Sequence, residues 1–165
     1  MVGPSPEVEN RPGRRAEEPS VGRIRPMTLP DLDVVLAIER ASFAQPWTED
    51  MFRAELTENP SARFFVAVAG GDIVGYIGGW FVVDELQVVS LAVRPDARRR
   101  RVASRLLAHL FDHAGAPVRR ASLEVRRSNR AAIAMYERFG FRPAGVRRGY
   151  YDEPKEDAVL MERVV

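Results

Sequence analysis

The sequence predicts one α+β layered domain, and three observations lead to this prediction. Patterns typical of strands and helices follow one another in the order strand, two helices, three strands, helix, strand, helix, two strands. The chain of 165 residues is long enough for one domain with a substantial core and too short for two ordinary ones. Hydrophobic residues make up 45% and charged residues 29%, the balance of a soluble globular protein.

Residues 1–22 are expected to lie outside this domain as a disordered tail. Proline, glycine and charged residues dominate the segment, so it cannot bury enough apolar surface to offset the entropy of ordering. It also lacks the apolar core of a signal peptide, and no apolar run in the chain reaches the length of a membrane span. We therefore expect a cytoplasmic protein with no membrane partner, whose domain covers residues 23–165.

The domain is predicted to begin with a strand and two helices. Ile24–Met27 reads as a short strand, and Pro30 with Asp31 then opens a helix, because proline and acidic side chains suit the first helical turn. The buried face of this helix is expected to be Leu32, Val35, Leu36, Ile38 and Phe43. A corner at Pro46–Trp47 interrupts the helical pattern, and Thr48 is predicted to cap the second helix. That helix would pack through Met51, Phe52 and Leu56.

A β-hairpin and a third strand are predicted next. Two β-rich runs, Arg63–Val68 and Ile73–Phe81, are joined by the short turn Gly70–Asp72, which is a hairpin signal. Asp84 then begins a further strand, which ends at Val93. The order of these runs predicts a sheet whose middle lies in this part of the chain.

An arginine-rich turn connects that strand to the next helix. Pro95 ends the strand, because proline lacks the N–H that a sheet needs, and Arg98–Arg101 follow. The helix after the turn has one apolar face, formed by Val102, Ala103, Leu106, Leu107 and Leu110. Free backbone N–H groups at a helix start, with clustered arginines beside them, predict an anion site. A solvated basic turn is the alternative interpretation of the same residues.

The last third of the chain is predicted to contain a strand, a helix and two more strands. Arg120–Val125 reads as a strand, and Ser128–Asn129 is expected to cap a helix that ends at Gly140. The apolar residues of this helix are Ala132, Ile133, Met135, Tyr136 and Phe139. The two final strands, Phe141–Val146 and Ala158–Glu162, are expected to flank a loop that carries the adjacent tyrosines 150 and 151.

The residue inventory excludes several kinds of chemistry. The chain has no cysteine, so disulfides, thiolate metal sites and a covalent cysteine intermediate are all excluded. His109 and His113 are its two histidines, and no adjacent carboxylate gives them a metal-protease signature. We expect them on the surface, and we expect no metal.

Four stretches together resemble the GNAT superfamily of acetyl-CoA-dependent N-acetyltransferases. They read SLAV, RPDARRRRVA, LEVRRSNRAAIAMYERFGF and RRGYY, and the resemblance covers roughly residues 23–165. The third stretch and the Pro46–Trp47 corner look most like the RimI-type ribosomal-protein alanine N-acetyltransferases. The resemblance implies a mixed, mostly antiparallel central sheet flanked by helices, in which a splayed central strand binds acetyl-CoA.

The resemblance also implies which residues bind acetyl-CoA. Main-chain groups of the central strand would hold the pantetheine arm, the turn and helix start would hold the pyrophosphate, and Asn129 would hold the cofactor arm. The residues concerned are Leu91, Ala92, Val93, Arg98, Arg99, Arg100, Arg101, Val102, Ala103, Ser104 and Asn129. Arg101 stands where the family has glycine, and an ordinary helical backbone there would tolerate an arginine.

The resemblance implies that Glu124 is the general base and Tyr136 the general acid. An α-amino group has a pKa of roughly 8, so a carboxylate, acting through a water, is suited to remove its proton. A phenol could then protonate the thiolate that leaves, and without cysteine the transfer must be direct in a ternary complex. Taken alone, each residue has a simpler interpretation: Glu124 as a solvated acid, Tyr136 as core, and Asn129 as a helix cap.

The sequence leaves three hypotheses on the function open. In this branch of the family two loops frame the acceptor groove, and they would contribute Phe43, Pro46, Trp47, Tyr150 and Tyr151. The first hypothesis is acetylation of the N-terminal alanine of a ribosomal protein, and the second is another peptide or a small amine. The third is a basic RNA- or ribosome-binding module without catalysis, resting on Arg98–Arg101 and a second arginine cluster over 119–130. Because exposed aromatics do not alternate with these arginines, we expect no direct role in binding nucleic acid. Asp84 and Glu85 could make the groove acidic or could simply begin a strand.

Overall fold

A seven-stranded sheet with four α-helices forms the protein in a computed structural model that describes residues 21–115 and 117–165. The strands are β1 (Arg23–Pro26), β2 (Ala62–Ala69), β3 (Asp72–Val82), β4 (Glu85–Val93), β5 (Arg120–Arg126), β6 (Arg142–Asp152) and β7 (Lys155–Val164). The helices are α1 (Leu32–Ser42), α2 (Glu49–Thr57), α3 (Val102–Asp112) and α4 (Arg130–Arg138). This is the predicted element order, and the α+β fold is confirmed.

The start of the domain is tied to the sheet. Residues 1–20 of the predicted tail lie outside the described residues. Val21 is buried in the core, and the backbone N–H of Gly22 donates to the carbonyl of Val68 at 2.9 Å.

The sheet is mixed, and its one parallel pairing sets the position of the cavity. The strand order is β1-β2-β3-β4-β5-β7-β6, and every neighbouring pair is antiparallel except β4 with β5. The β4–β5 pairing begins at Glu85 opposite Arg120 and ends at Val88 opposite Leu123. Beyond Val88, β4 continues to pair with β3 while β5 pairs with β7. The two strands therefore separate, and the predicted splayed central strand is confirmed.

Helices cover both faces of the sheet. On one face α3 packs mainly on β3 and β2, and α4 shares the same core with β4 and β5; Leu106, Leu107 and Leu110 of α3 are at 0% exposure. On the other face α1 and α2 pack on β2 and β3, with Val35 and Phe52 fully buried. The predicted helix faces are confirmed except at two residues: Phe43 is 38% exposed and Met51 is 45% exposed. Phe43 is the C-cap of α1 with an extended backbone, so it no longer follows the helical face.

Polar caps end the helices where the sequence predicts. The hydroxyl of Thr48 accepts a hydrogen bond from the Met51 N–H at 3.3 Å, which satisfies a free donor of α2. The Asn129 side chain accepts from the Ala132 N–H at 3.2 Å and caps α4 in the same way. Gly140 follows α4 with φ of +89°, a conformation that glycine adopts without a steric cost.

The prediction of a loop around Tyr150 and Tyr151 is wrong, because both lie within β6. This strand is the edge of the sheet and is exposed over most of its length, so no apolar alternation marks it in the sequence. Its pairing with β7 shifts register between Pro143 and Gly145 and again after Arg147. Such irregularities bend an edge strand, and here they lie beside the cavity.

Candidate active site

A cavity of about 880 Å³ opens where β4 and β5 separate, a volume suited to a sizeable ligand. Residues from α1, β4, the turn before α3, β5, α4 and β6 line it. The predicted site residues that line it are Phe43, Trp47, Leu91, Ala92, Val93, Arg98, Arg99, Arg101, Val102, Ala103, Ser104, Glu124, Asn129, Tyr136, Tyr150 and Tyr151. Pro46 and Arg100 are described residues that lie outside this lining. The fold thus brings nearly all of the predicted residues to one place.

The turn before α3 has an unusual backbone. Arg99 has φ of +62° and Arg101 has φ of +60°, both in the left-handed region, and Arg101 is the N-cap of α3. The backbone at Arg101 is therefore not the ordinary helical one that would tolerate an arginine. A left-handed conformation costs an L-residue roughly 1–2 kcal/mol relative to glycine, which explains the glycine that the family resemblance implies here.

The same turn has the donors that a phosphate group requires. The first turn of α3 contains no acidic residue, and its N–H groups lack partners within the helix. Arg98 is held in place, since its Nε donates to the Val93 carbonyl at 3.0 Å and its Nη2 donates to the Ser42 hydroxyl at 3.3 Å. Helix N–H groups and arginines are the donors that bind phosphate in proteins, so these residues fit the phosphates of acetyl-CoA.

Glu124 is paired rather than solvated. Its side chain is 16% exposed, and its Oε1 lies 2.9 Å from the Nε of Arg147 on β6. Arg147 reaches Glu124 across β7, where its register partner is the fully buried Ala158. A hydrogen bond to the same carboxylate raises the pKa of the Tyr150 phenol above its usual value. The sequence analysis missed Arg147, because only the β5–β7–β6 register brings these distant positions together.

Tyr136 lies at the bottom of the cavity. It is 7% exposed, and its ring meets that of Phe141 at a centroid distance of 5.7 Å. Burial, with Tyr151 nearby, raises the pKa of the Tyr136 phenol well above its ordinary value. The phenol therefore stays protonated throughout the neutral pH range and is available as a hydrogen-bond or proton donor. Asn129, in contrast, already uses its side-chain oxygen to cap α4, which leaves its amide N–H groups for a ligand.

The segment between α1 and α2 is fixed by aromatic packing and by a buried acid. Trp47 packs on Phe52 and Phe64, at centroid distances of 5.2 and 6.2 Å. The Trp47 backbone N–H donates to Oε1 of Glu39 at 2.9 Å, and Glu39 is only 1% exposed. Sequence reasoning missed Glu39, because an acid on a helix normally faces solvent and nothing local shows that this one is buried.

A second cluster fixes the turn between β6 and β7 on the opposite side of the cavity. The guanidinium of Arg126 stacks on the Tyr151 ring at 4.1 Å and donates to the carbonyls of Glu153 and Pro154, each at 3.0 Å. Arg126 also pairs with Glu156 at 3.3 Å, and Glu156 accepts a hydrogen bond from the backbone N–H of Ser128, in the loop before α4. Both walls that contain predicted acceptor residues are therefore tied to the sheet.

Four other expectations can be compared with the structure. Asp84 and Glu85, immediately before and at the start of β4, are not among the residues that line the cavity, and Asp84 faces Arg119 at 3.7 Å. His113 is exposed and stacks on the partly buried His109, so their predicted surface position is confirmed. Over residues 21–115 and 117–165, no helix is long and apolar enough to cross a membrane. Within these same ranges, no cluster of three or more His, Asp or Glu side chains could hold a metal ion.

The chain matches known proteins over most of its length. A family model described as the acetyltransferase (GNAT) family matches residues 32–141. The [ribosomal protein bS18]-alanine N-acetyltransferase of Escherichia coli (strain K12) is 37% identical over 136 residues, which cover 79% of this chain and 89% of that protein. The N-alpha-acetyltransferase RimI of Mycobacterium tuberculosis is 38% identical over 122 residues, covering 72% and 75% respectively.

A solved structure agrees with these matches. The crystal structure of the ribosomal-protein-S18-alanine N-acetyltransferase from Escherichia coli superposes with a TM-score of 0.79 at 34% sequence identity. The superposition covers 87% of this chain and 93% of that one. The splayed sheet, the turn that suits a phosphate and these matches agree with one another. The chain therefore belongs to the GNAT acetyltransferase family and is an N-acetyltransferase that uses acetyl-CoA.

Proposed function

We propose that this enzyme transfers an acetyl group directly to the α-amino group of an N-terminal alanine, with a ribosomal protein as acceptor. One observation carries the proposal: Glu124, Tyr136 and the turn before α3 all line the cavity between β4 and β5. The name of the Escherichia coli relative supports the choice of a ribosomal protein with an N-terminal alanine, and that of the Mycobacterium tuberculosis relative supports an α-amino group as the site of acetylation. Because ribosomal proteins act in the cytoplasm, we propose that compartment as the place of action.

Two regions of the chain would bind acetyl-CoA. Acetyl-CoA supplies the reactive thioester when it is bound. The turn Arg98–Ser104 would hold its phosphates through backbone N–H groups and guanidinium groups. The stretch Leu91–Val93 of β4, which pairs with β3 but no longer with β5, would offer main-chain groups to its arm, and Asn129 would donate from its amide.

Glu124 and Tyr136 would move the protons. An α-amino group is largely protonated at neutral pH, so Glu124 would take one proton from it, through a water, before attack. Tyr136 is protonated and would donate to the sulfur as it leaves. A backbone N–H of β4 would stabilise the negative charge that develops on the carbonyl oxygen. The chain contains no cysteine to carry an acetyl group, so transfer is direct.

Arg147 gives the acceptor end of the cavity a cation that an ammonium group can replace. Its guanidinium already occupies Oε1 of Glu124 at 2.9 Å, and it is 60% exposed, so moving it into solvent costs little. The positively charged N-terminus of an acceptor, together with the water that links it to Glu124, would take this position. The aromatic residues Phe43, Trp47, Tyr150 and Tyr151 would form the walls around it.

A peptide panel tests the proposal. Peptides with the N-terminal sequence of bS18, the same peptide with other first residues, and small amines are incubated with enzyme and acetyl-CoA, and products are detected by mass spectrometry. We expect acetylation at the α-amino group of the Ala-starting peptide and none of a peptide with a blocked N-terminus. Preferential acetylation of small amines would show that the acceptor is wrong. Loss of one acetylated ribosomal N-terminus in a strain without this protein would confirm it in cells.

A further inference from the structure

A chain of three hydrogen-bonding side chains leads from the interior of the protein to the cavity. Glu39, on α1, is 1% exposed, and its Oε2 accepts a hydrogen bond from the Tyr76 hydroxyl. The Tyr76 hydroxyl, itself fully buried, lies 2.8 Å from the hydroxyl of Ser90 on β4. Glu39 and Ser90 both line the cavity, and none of the three residues has a role in the proposed proton transfers.

The direction of these hydrogen bonds follows from the number of protons available. A tyrosine hydroxyl has one hydrogen, and an ionised carboxylate can only accept. When Tyr76 donates to the Glu39 carboxylate, the hydrogen between Tyr76 and Ser90 must therefore come from Ser90. Ser90 has then used its only proton, and only lone pairs of its Oγ remain for a group in the cavity.

A β-bulge places Ser90 where an acceptor would enter. In the β3–β4 ladder Gly79 pairs with Val88 and Gly78 pairs with Ser90, so Val89 is an extra residue in β4. Such a bulge changes which side of the sheet the following residues face. Ser90 thus bonds to Tyr76, in the core beneath α1 and α2, at the level where β4 has left β5.

Glu124 faces the same side of the sheet across the gap between the two strands. Its neighbours Leu123 and Val125 belong to the core beneath α3 and α4, so the alternation of the strand points Glu124 to the opposite face. The mouth on the α1 side therefore has Glu124 on β5 and the hydroxyl of Ser90 on β4. Both present hydrogen-bond acceptors, and an ammonium group has three donors.

We propose that Ser90 Oγ accepts a hydrogen bond from the α-amino group of the acceptor, and that Tyr76 and Glu39 are positioning residues that keep Ser90 in this accepting orientation. This inference rests on the proposed function and names a further contact within that site. Because Glu39 holds the Trp47 backbone as well, one carboxylate organises both the acceptor segment and the contact to the amine.

Two substitutions separate this role from a merely structural one. Ser90→Ala removes the accepting oxygen and leaves Tyr76 bonded to Glu39. Glu39→Gln keeps the shape but reverses the direction of the bonds, because the glutamine amide accepts from Trp47 and must donate to Tyr76. Tyr76 then donates to Ser90, and the Ser90 hydroxyl has to present its proton to the cavity. Both changes should therefore weaken binding of an amine.

The experiment compares two peptides that differ by one amino group. With CoA at saturation, calorimetry measures the affinity of an Ala-starting peptide and of its des-amino counterpart, in which propionyl replaces alanyl. The wild type should prefer the amine by about 10- to 100-fold, the usual strength of a hydrogen bond to a charged group. Ser90→Ala and Glu39→Gln should each lower this preference by about 3- to 10-fold and leave the part that is due to Glu124, while binding of the des-amino peptide and of CoA is unchanged. In the double variant the loss should equal that of Ser90→Ala alone.

Two control variants accompany these measurements. Ser90→Thr keeps the hydroxyl and should restore the preference for the amine. Asp31→Asn changes another buried carboxylate, at the N-terminal end of the same helix region and outside the cavity lining, so it should lower stability without changing the preference.

The possible results distinguish the two proposals. If Ser90→Ala weakens the amine and the des-amino peptide equally, Ser90 has only a structural role and the inference is wrong. If the wild type binds both peptides with the same affinity, the acceptor stands and the contact to Ser90 is wrong. If the wild type binds neither peptide, the proposed acceptor is wrong, and the role of Ser90 falls with it.

Discussion

The left-handed backbone at Arg101 gives a prediction in which strain and charge can be separated. Arg101 has φ of +60° and ψ of 18° and caps α3. Replacing it by glycine relieves roughly 1–2 kcal/mol of conformational cost and adds about 0.5–1 kcal/mol of chain entropy to the unfolded state. We expect a net stabilisation of about 0.5–1 kcal/mol, which corresponds to a rise in Tm of about 1–4 °C for a domain of this size.

Arg101→Ala is the matched variant, because it removes the guanidinium and leaves the left-handed strain. Its Tm should stay close to that of the wild type, while its affinity for CoA should fall together with the salt dependence of binding if the side chain contacts phosphate. Arg100→Gly is the positional control, since Arg100 is outside the left-handed region and should lose stability with glycine. Calorimetric melting and CoA titration at two salt concentrations measure both effects. A lower Tm for Arg101→Gly than for Arg101→Ala would refute the argument from backbone strain.

Two further predictions concern ion pairs. Arg25 holds the pKa of Asp31 at about 2, below its usual 3.8, so this pair adds about 2 kcal/mol of stability above pH 4 that is lost as the pH falls from about 4 to 2. Urea unfolding across that pH range should show the loss of stability, and Asp31→Asn should remove this pH dependence. A pH dependence that is the same in Asp31→Asn as in the wild type would contradict the role of the pair. Arg147→Ala should lower the acceptor KM by up to about fivefold with little change in kcat or Tm, because it frees Glu124 from a half-exposed competitor. Steady-state kinetics with the exposed Arg148→Ala as control measures this, and a tenfold fall in kcat would instead show that Arg147 positions Glu124 for catalysis.

Most of the fold could be predicted, because local patterns determine it. Apolar spacing identified the helix faces, and side-chain caps such as Thr48 and Asn129 marked where helices begin. The edge strand β6 could not be recognised, since a strand that is exposed on both faces has no apolar alternation. The sequence therefore predicts a loop at Tyr150 and Tyr151, which lie in β6 and nevertheless line the cavity.

The site could be predicted only in part, for a different physical reason. The family resemblance predicts site residues that share a motif, such as Glu124 and Tyr136, and both line the cavity. Pairs made by tertiary register, such as Glu124 with Arg147, have no local signal, because their separation along the chain is arbitrary. The burial of Glu39 likewise depends on how α1 packs on β3 and β4 and not on its neighbours in the sequence.

The role of Glu124 as general base can be tested with a single substitution. Glu124→Gln keeps the shape of the side chain and removes its ability to accept a proton. With the genuine acceptor peptide, we expect kcat to fall by roughly 10²–10⁴-fold, the usual contribution of such a group, while the Kd for acetyl-CoA stays unchanged. Tyr136→Phe, which removes only the hydroxyl, should also lower kcat with the fold intact. A Glu124→Gln enzyme that retains nearly full kcat would contradict the account, because another group or solvent would then have to remove the proton.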